Sequence, residues 1–134
     1  MKRFEILPHK ADLKIKAFGK DKKELFLNVL LAMTESQKAK KSKEQIKREI
    51  KINSSDLSSL LVDFLSEVLY LSQVNKEVYD NINFKKFTDR ELEGKLIGLK
   101  VERFGEDIKA VTYHNLDIRQ LSSGAWEATV LFDT

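Results

Sequence analysis

The 134-residue sequence contains no cysteine, one proline, one tryptophan and two histidines. Without cysteine there are no disulfides, no thiolate metal sites and no cysteine nucleophile. Any metal must be held by oxygen donors or by His9 and His114, which disfavours zinc and favours a hard cation such as calcium or magnesium. No apolar run approaches the roughly 20 residues needed to cross a bilayer. The opening Met1-Lys2-Arg3 leads into alternating residues instead of the apolar centre of a signal peptide. A cytoplasmic location with no membrane partner is therefore the default expectation. Glycine is scarce, and Gly94 and Gly98 lack the order and the strand-to-helix flanks of a phosphate-binding loop.

Charge and periodicity are abundant. Charged residues make up 34% of the chain and hydrophobic ones 42%, with 24 basic against 21 acidic side chains and a net charge of +3. The length fits one domain, residues 1–134, able to bury a substantial core without staples. A small basic excess supports contact with RNA or an acidic protein only where it is clustered. Lys38, Lys40, Lys41, Lys43, Lys47 and Arg48 form such a cluster, which reads equally as a solvated charge run.

Along the chain, Phe4 and Ile6 share one face of a first strand over 3–7, which Pro8 is expected to end. Leu13, Ile15 and Ala17 alternate with Lys14 and Lys16 in a half-buried strand closed by Gly19. Asp21 and Glu24 have the spacing of a capping box, and Leu25, Phe26, Val29, Leu30 and Met33 then form one helical stripe. Residues 36–45 have no apolar period and read as a mobile loop; Ile46, Ile50 and Ile52 share the parity of a strand. Asn53-Ser54-Ser55-Asp56 is rich in N-capping side chains and opens the apolar stretch 57–71, a second helix covered on more than one side. Within it Asp63 reads as a solvated or capping residue. Extended runs follow around Ile82 and Phe84, then a turn at 88–90, a long bent or bulged strand over 92–101 and a loop at 105–107. Residues 108–114, 116–121 and 126–132 close the chain, the last two as a hairpin about Ser122-Ser123-Gly124.

Two stretches carry candidate chemistry. His9 and Asp12 sit at the mouth of a strand, and the closing strand stops at Asp133 and Thr134, so a side-chain carboxylate lies beside the chain's terminal carboxylate. If the first and last strands are neighbours these anions converge, and crowded carboxylates call for a cation or a raised pKa. The donors are oxygens, so the cation is a hard one.

Four pieces taken together resemble the archease family: the segment 4–12 with His9-Lys10-Ala11-Asp12; the helix signature from Asp56 through Leu60-Leu61-Val62-Asp63-Phe64-Leu65 to Leu71; the run Lys109-Ala110-Val111-Thr112-Tyr113-His114; and the ending Val130-Leu131-Phe132-Asp133. The resemblance spans the chain. It implies a single compact α+β domain with two main helices packed between and against largely antiparallel sheets. It also implies a protein cofactor, without turnover of its own, of RNA ligases of the RtcB type in tRNA splicing and RNA repair. Such a protein promotes ligase guanylylation and repeated turnover, associating with tRNA only indirectly.

Carried over residue by residue, the resemblance implies a metal site at Asp12, Asp133 and the terminal carboxylate of Thr134, with Lys109 a further functional residue. His9 and His114 occupy motif positions without an assigned role. The departures are Lys10, Asn115 and Thr134, where the family commonly has threonine, glycine and an apolar terminus. Lys10 bears most on metal binding, because a cation beside Asp12 competes as an internal counter-ion. Two other functions compete: a stand-alone metal-dependent phosphoesterase using the same carboxylates, and an RNA-binding or chaperone-like module resting on the basic cluster.

Overall fold

A computed structural model of the chain describes residues 2–9 and 12–134, with the side chains of Pro8 and His9 outside the description. Among the described residues the element order is β1 (Phe4–His9), β2 (Asp12–Gly19), α1 (Lys22–Ser36), β3 (Lys40–Asn53), α2 (Leu57–Asn75), β4 (Glu77–Phe87), β5 (Glu91–Arg103), β6 (Ala110–Gln120) and β7 (Trp126–Asp133). The strands form two antiparallel sheets, ordered β1-β2-β7-β6 and β3-β5-β4. Each helix touches both: α1 packs on β2 and β4, and α2 on β6, β4, β3 and β5. This is the α+β architecture expected, with the helices as the middle layer.

Both helices start where local chemistry dictates. The Asp21 carboxylate accepts from the Glu24 backbone N–H at 2.8 Å, and Asp56 does the same for Ser59 at 2.8 Å. Glu24 reaches back one residue further than the capping-box pattern implies, accepting from the backbone N–H of Lys20 at 3.1 Å. Asp63 accepts from the Ser54 hydroxyl at 2.6 Å, which ties α2 to the segment before it. The helical stripes then meet in one core in which Leu25, Phe26, Leu30, Leu60, Leu61, Phe64 and Leu65 are fully buried. Each such side chain contributes on the order of 2 kcal/mol.

Several boundaries differ from expectation, each for a backbone reason. β1 continues through Pro8 to His9, because β1 is an edge strand and a missing N–H there costs no ladder bond. Most of the expected loop over 36–45 is strand: β3 begins at Lys40, with pairing interrupted between Lys41 and Gln45. β3 is also an edge, and an edge strand bearing lysines needs no apolar period while it resists pairing with other chains. The basic cluster thereby becomes part of a sheet edge, and two of its members face acids across it: Lys40 lies 3.2 Å from Glu102, and Arg48 bonds Glu77. α2 runs past Leu71 to Asn75, capped by left-handed Lys76, and at 19 residues is long and apolar enough to cross a membrane by length and composition alone. Its leucines and Phe64 form the centre of the core instead. Residues 108–121, read as two runs, hold one strand, β6, irregular between Thr112 and Asp117 with Asn115 at φ 55°.

At the start of β4 the fold buries a carboxylate. Glu77 is fully buried and accepts from Arg48 at 2.8 and 2.9 Å and from the Tyr79 hydroxyl at 2.9 Å; Lys100 lies 3.3 Å away. Burial pushes its pKa up, but the Arg48, Tyr79 and Lys100 donors outweigh burial and hold it below the usual glutamate value. Burial, with the Glu77 bond, raises the Tyr79 phenol. The Ser72 hydroxyl donates to the Glu77 carbonyl at 2.5 Å and receives a bond from the Gln37 amide at 3.2 Å, so the cluster joins both helix C-termini to the second sheet.

Two predictions follow from these contacts. A Cβ at residue 98 would overlap the Val78 carbonyl oxygen and the Tyr79 backbone, so Gly98→Ala lowers stability by about 2 kcal/mol or more, read from urea unfolding. Glu77→Gln costs on the order of 2 kcal/mol, less than a wholly buried pair because both cations reach solvent. Since the folded-state pKa of Glu77 is depressed, its contribution is present above the ordinary value of 4.5 and disappears as pH falls through the lower folded value. The stability gap between wild type and Glu77→Gln therefore narrows in acid.

Candidate functional site

The central pair of the four-stranded sheet brings the chain's two ends together. β2 and β7 run antiparallel in continuous register from Gly19 opposite Trp126 to Asp12 opposite Asp133. Residues directly opposite in such a pair have Cβ atoms about 5 Å apart and share one face, and like charges there repel. The next pair, Leu13 and Phe132, has the core-facing parity of Ile15 and Val130, so Asp12 and Asp133 fall on the alternate parity at the strand ends. His9 of β1 is the backbone partner of Asp12 from the other side. Lys10, and with it the effect of a cation beside Asp12, lies outside the described residues, as does the His9 side chain.

Lys109 arrives from the third side. Its backbone N–H donates to the Asp133 carbonyl at 2.8 Å, and the following Ala110 pairs with Asp133 in the β6–β7 ladder. The Lys109 side chain is exposed beside the strand end. Asp12, Lys109, Asp133 and Thr134 thus occupy one end of the sheet. His114 does not join them: it is exposed in the irregular stretch of β6, four residues beyond Ala110.

Asp12 and Thr134 also border a cleft of about 620 Å³ between the sheet end, the α1 C-terminus and the 104–108 loop. Its floor is Ile6, Leu13 and the buried Ile108, and its rim carries Glu35, Lys38, Glu106 and Asp107. Asp133 is not among its lining residues. The loop is held by backbone bonds from Gly105 and Glu106 to the Gln37 carbonyl at 3.1 and 3.0 Å, and the Gln73 amide donates to the Ile108 carbonyl at 2.7 Å. Sequence patterns did not single out Glu35, Gln37, Gln73, Glu106 or Asp107. Helix polars and a short acidic loop carry no spacing signal, and only the docking of the loop on two helix ends gives them a place.

Asp12 and Asp133 offer oxygen donors in direct cross-strand register, the kind of ligand a hard divalent cation takes. Among the described residues no three Asp, Glu or His side chains converge.

A model of the Archease protein family matches residues 4–134. The chain belongs to the archease family. It is similar to the archease of Methanosarcina barkeri, 41% identical over 141 residues and covering 98% of this chain and 96% of that one. The archease of Pyrococcus furiosus is 32% identical, with 99% of each chain covered. Among solved structures, a solution structure of a Methanobacterium thermoautotrophicum protein aligns with a TM-score of 0.72 at 27% identity over 100% of both chains. A crystal structure from Thermotoga maritima, described as an archease and possible chaperone, aligns with a TM-score of 0.71 at 22% identity over 96% of this chain and 94% of its own, a likeness of fold. The archease resemblance and the layered α+β fold drawn from the sequence both hold.

The bond from Gln73 braces the Ile108 carbonyl, immediately before Lys109. Gln73→Ala removes one partly buried hydrogen bond worth about 1 kcal/mol. Hydrogen exchange at the Lys109 amide is expected to accelerate about fivefold, with the α2 interior unchanged.

Proposed function

We propose that this archease is an accessory protein of an RNA ligase of the RtcB type, promoting ligase guanylylation and repeated turnover from the end of the sheet where Asp12, Asp133 and the Thr134 carboxylate meet. Family membership supports the reading, and the observation that carries it is the cross-strand register of residues 12 and 133. Attachment of GMP to a ligase histidine develops negative charge on the α-phosphate and on departing pyrophosphate, which calls for cationic help. A divalent ion held by these oxygens supplies Lewis-acid charge neutralisation when bound. Asp12 and Asp133 present the donors from rigid strand ends. Lys109, anchored through its backbone to Asp133, offers an exposed ammonium for a phosphate or an acidic ligase residue. The chain has no turnover of its own in this scheme.

Multiple-turnover RNA joining by the host's ligase, with and without this protein across GTP and divalent-ion concentrations, tests the proposal. Wild type is expected to sustain turnover. Asp12→Ala and Asp133→Ala are each expected to reduce stimulation by about tenfold or more while leaving the unfolding midpoint near wild type. Full stimulation by either variant removes that carboxylate from the scheme, and absence of stimulation by wild type removes the scheme itself.

A further inference from the structure

The cleft beside the sheet end has properties that a small ion does not use. Ile6, Leu13 and Ile108 make its floor apolar, and its volume of about 620 Å³ is that of a site for an organic group. Its rim is acidic although the chain as a whole carries +3. Glu35, Glu106 and Asp107 stand there with Lys38, which approaches Glu106 only to 3.9 Å in an exposed pair. Glu35 sits in the last turn of α1, a turn with no basic residue, where the helix already exposes the negative end of its dipole. A carboxylate in that position is unfavourable for the isolated domain. The rim is also held in place in advance, since Gly105 and Glu106 bond to the Gln37 carbonyl and Gln73 holds residue 108.

An apolar floor under a fixed anionic rim matches a long side chain that is aliphatic along its stem and cationic at its head. Arginine fits better than lysine, because its guanidinium is weakly hydrated and donates in a planar fork to carboxylates. We propose that the cleft is a docking site for an arginine side chain projecting from the partner protein, its methylenes on Ile6, Leu13 and Ile108 and its guanidinium among Glu106, Asp107 and Glu35. This rests on reading the chain as the accessory of a larger protein, and assigns that partner a protruding basic residue beside the carboxylates of the sheet end.

The test is a methyl-NMR titration of the full chain with N-acetyl-arginine methylamide, its norleucine counterpart, guanidinium ion and magnesium ion as separate probes. The arginine amide is expected to give saturable shifts at the Ile6, Leu13 and Ile108 methyls, the norleucine amide and guanidinium ion little or none, and magnesium a shift confined to Leu13 beside Asp12. Glu106→Gln with Asp107→Asn is expected to weaken that binding about fivefold. Shifts produced by magnesium but not by the arginine amide, or unweakened binding in the double variant, would overturn the proposal. In a second arm, Glu106→Lys with Asp107→Lys is expected to lose association with the ligase about tenfold while keeping a native amide spectrum. Normal association of that variant refutes the docking role while leaving ligase activation intact. A wild-type chain that fails to stimulate the ligase refutes activation, and the arginine titration still decides what the cleft binds.

Discussion

The pairing of β2 with β7 is the constraint on which the rest of the structure depends. It joins a strand beginning at residue 12 to one ending at residue 133, in the middle of a four-stranded sheet, so segments far apart in the sequence close the domain. Because side chains alternate with a period of two, a one-residue slip would turn either Ile15 and Ala17 or Val130 and Phe132 away from the helices. The buried apolar face thus enforces the same register that sets Asp12 opposite Asp133. Core packing and the geometry of the candidate site are one specification.

Around that pair, the helices supply position more than chemistry. The α1 C-terminus and the end of α2 come together where Gln37 donates to Ser72, Ser72 to the Glu77 carbonyl and Gln73 to the carbonyl of residue 108. On one side this polar seam is continuous with the buried Glu77, Arg48 and Tyr79 cluster of the second sheet; on the other it carries the loop that rims the cleft. Buried polar networks are costly when half satisfied and rigidify when complete. Among the described residues no buried side-chain polar atom lacks a partner, which places this network in the second category.

The two sheets divide the remaining work. The second sheet takes the basic residues of β3 along its edge, where charge discourages strand addition by other chains. Its glycines at 94 and 98 let β5 lie close against an irregular β4, since a Cβ at either position would meet a β4 carbonyl oxygen. The first sheet sets Asp12 opposite Asp133 at the end where β2 and β7 meet the start of β6. A chain with a net positive charge thereby presents an acidic site at one pole and a lysine-bearing edge elsewhere.

Much of this was legible in the linear order of residues. Capping aspartates at 21 and 56, apolar stripes of period 3.6 and alternation in 13–17 and 126–132 each follow from short-range sterics and hydrogen bonding, and all four segments form the elements they encode. The family likeness, spread over motifs at both ends, was legible too. The strand from Lys40 was not, because an edge strand with solvated faces is stabilised by backbone bonds to β5 that leave no hydrophobic period behind. Nor was the buried Glu77, whose partners come from three strands. By itself the sequence determined the two helices, the cores of β2 and β7 and the carboxylates at their ends, since those properties are local. Only the tertiary structure decided that residue 12 faces 133, that Lys109 joins them while His114 lies further along β6, and that a loop on two helix ends makes a cleft, because each depends on pairing between residues far apart in the chain.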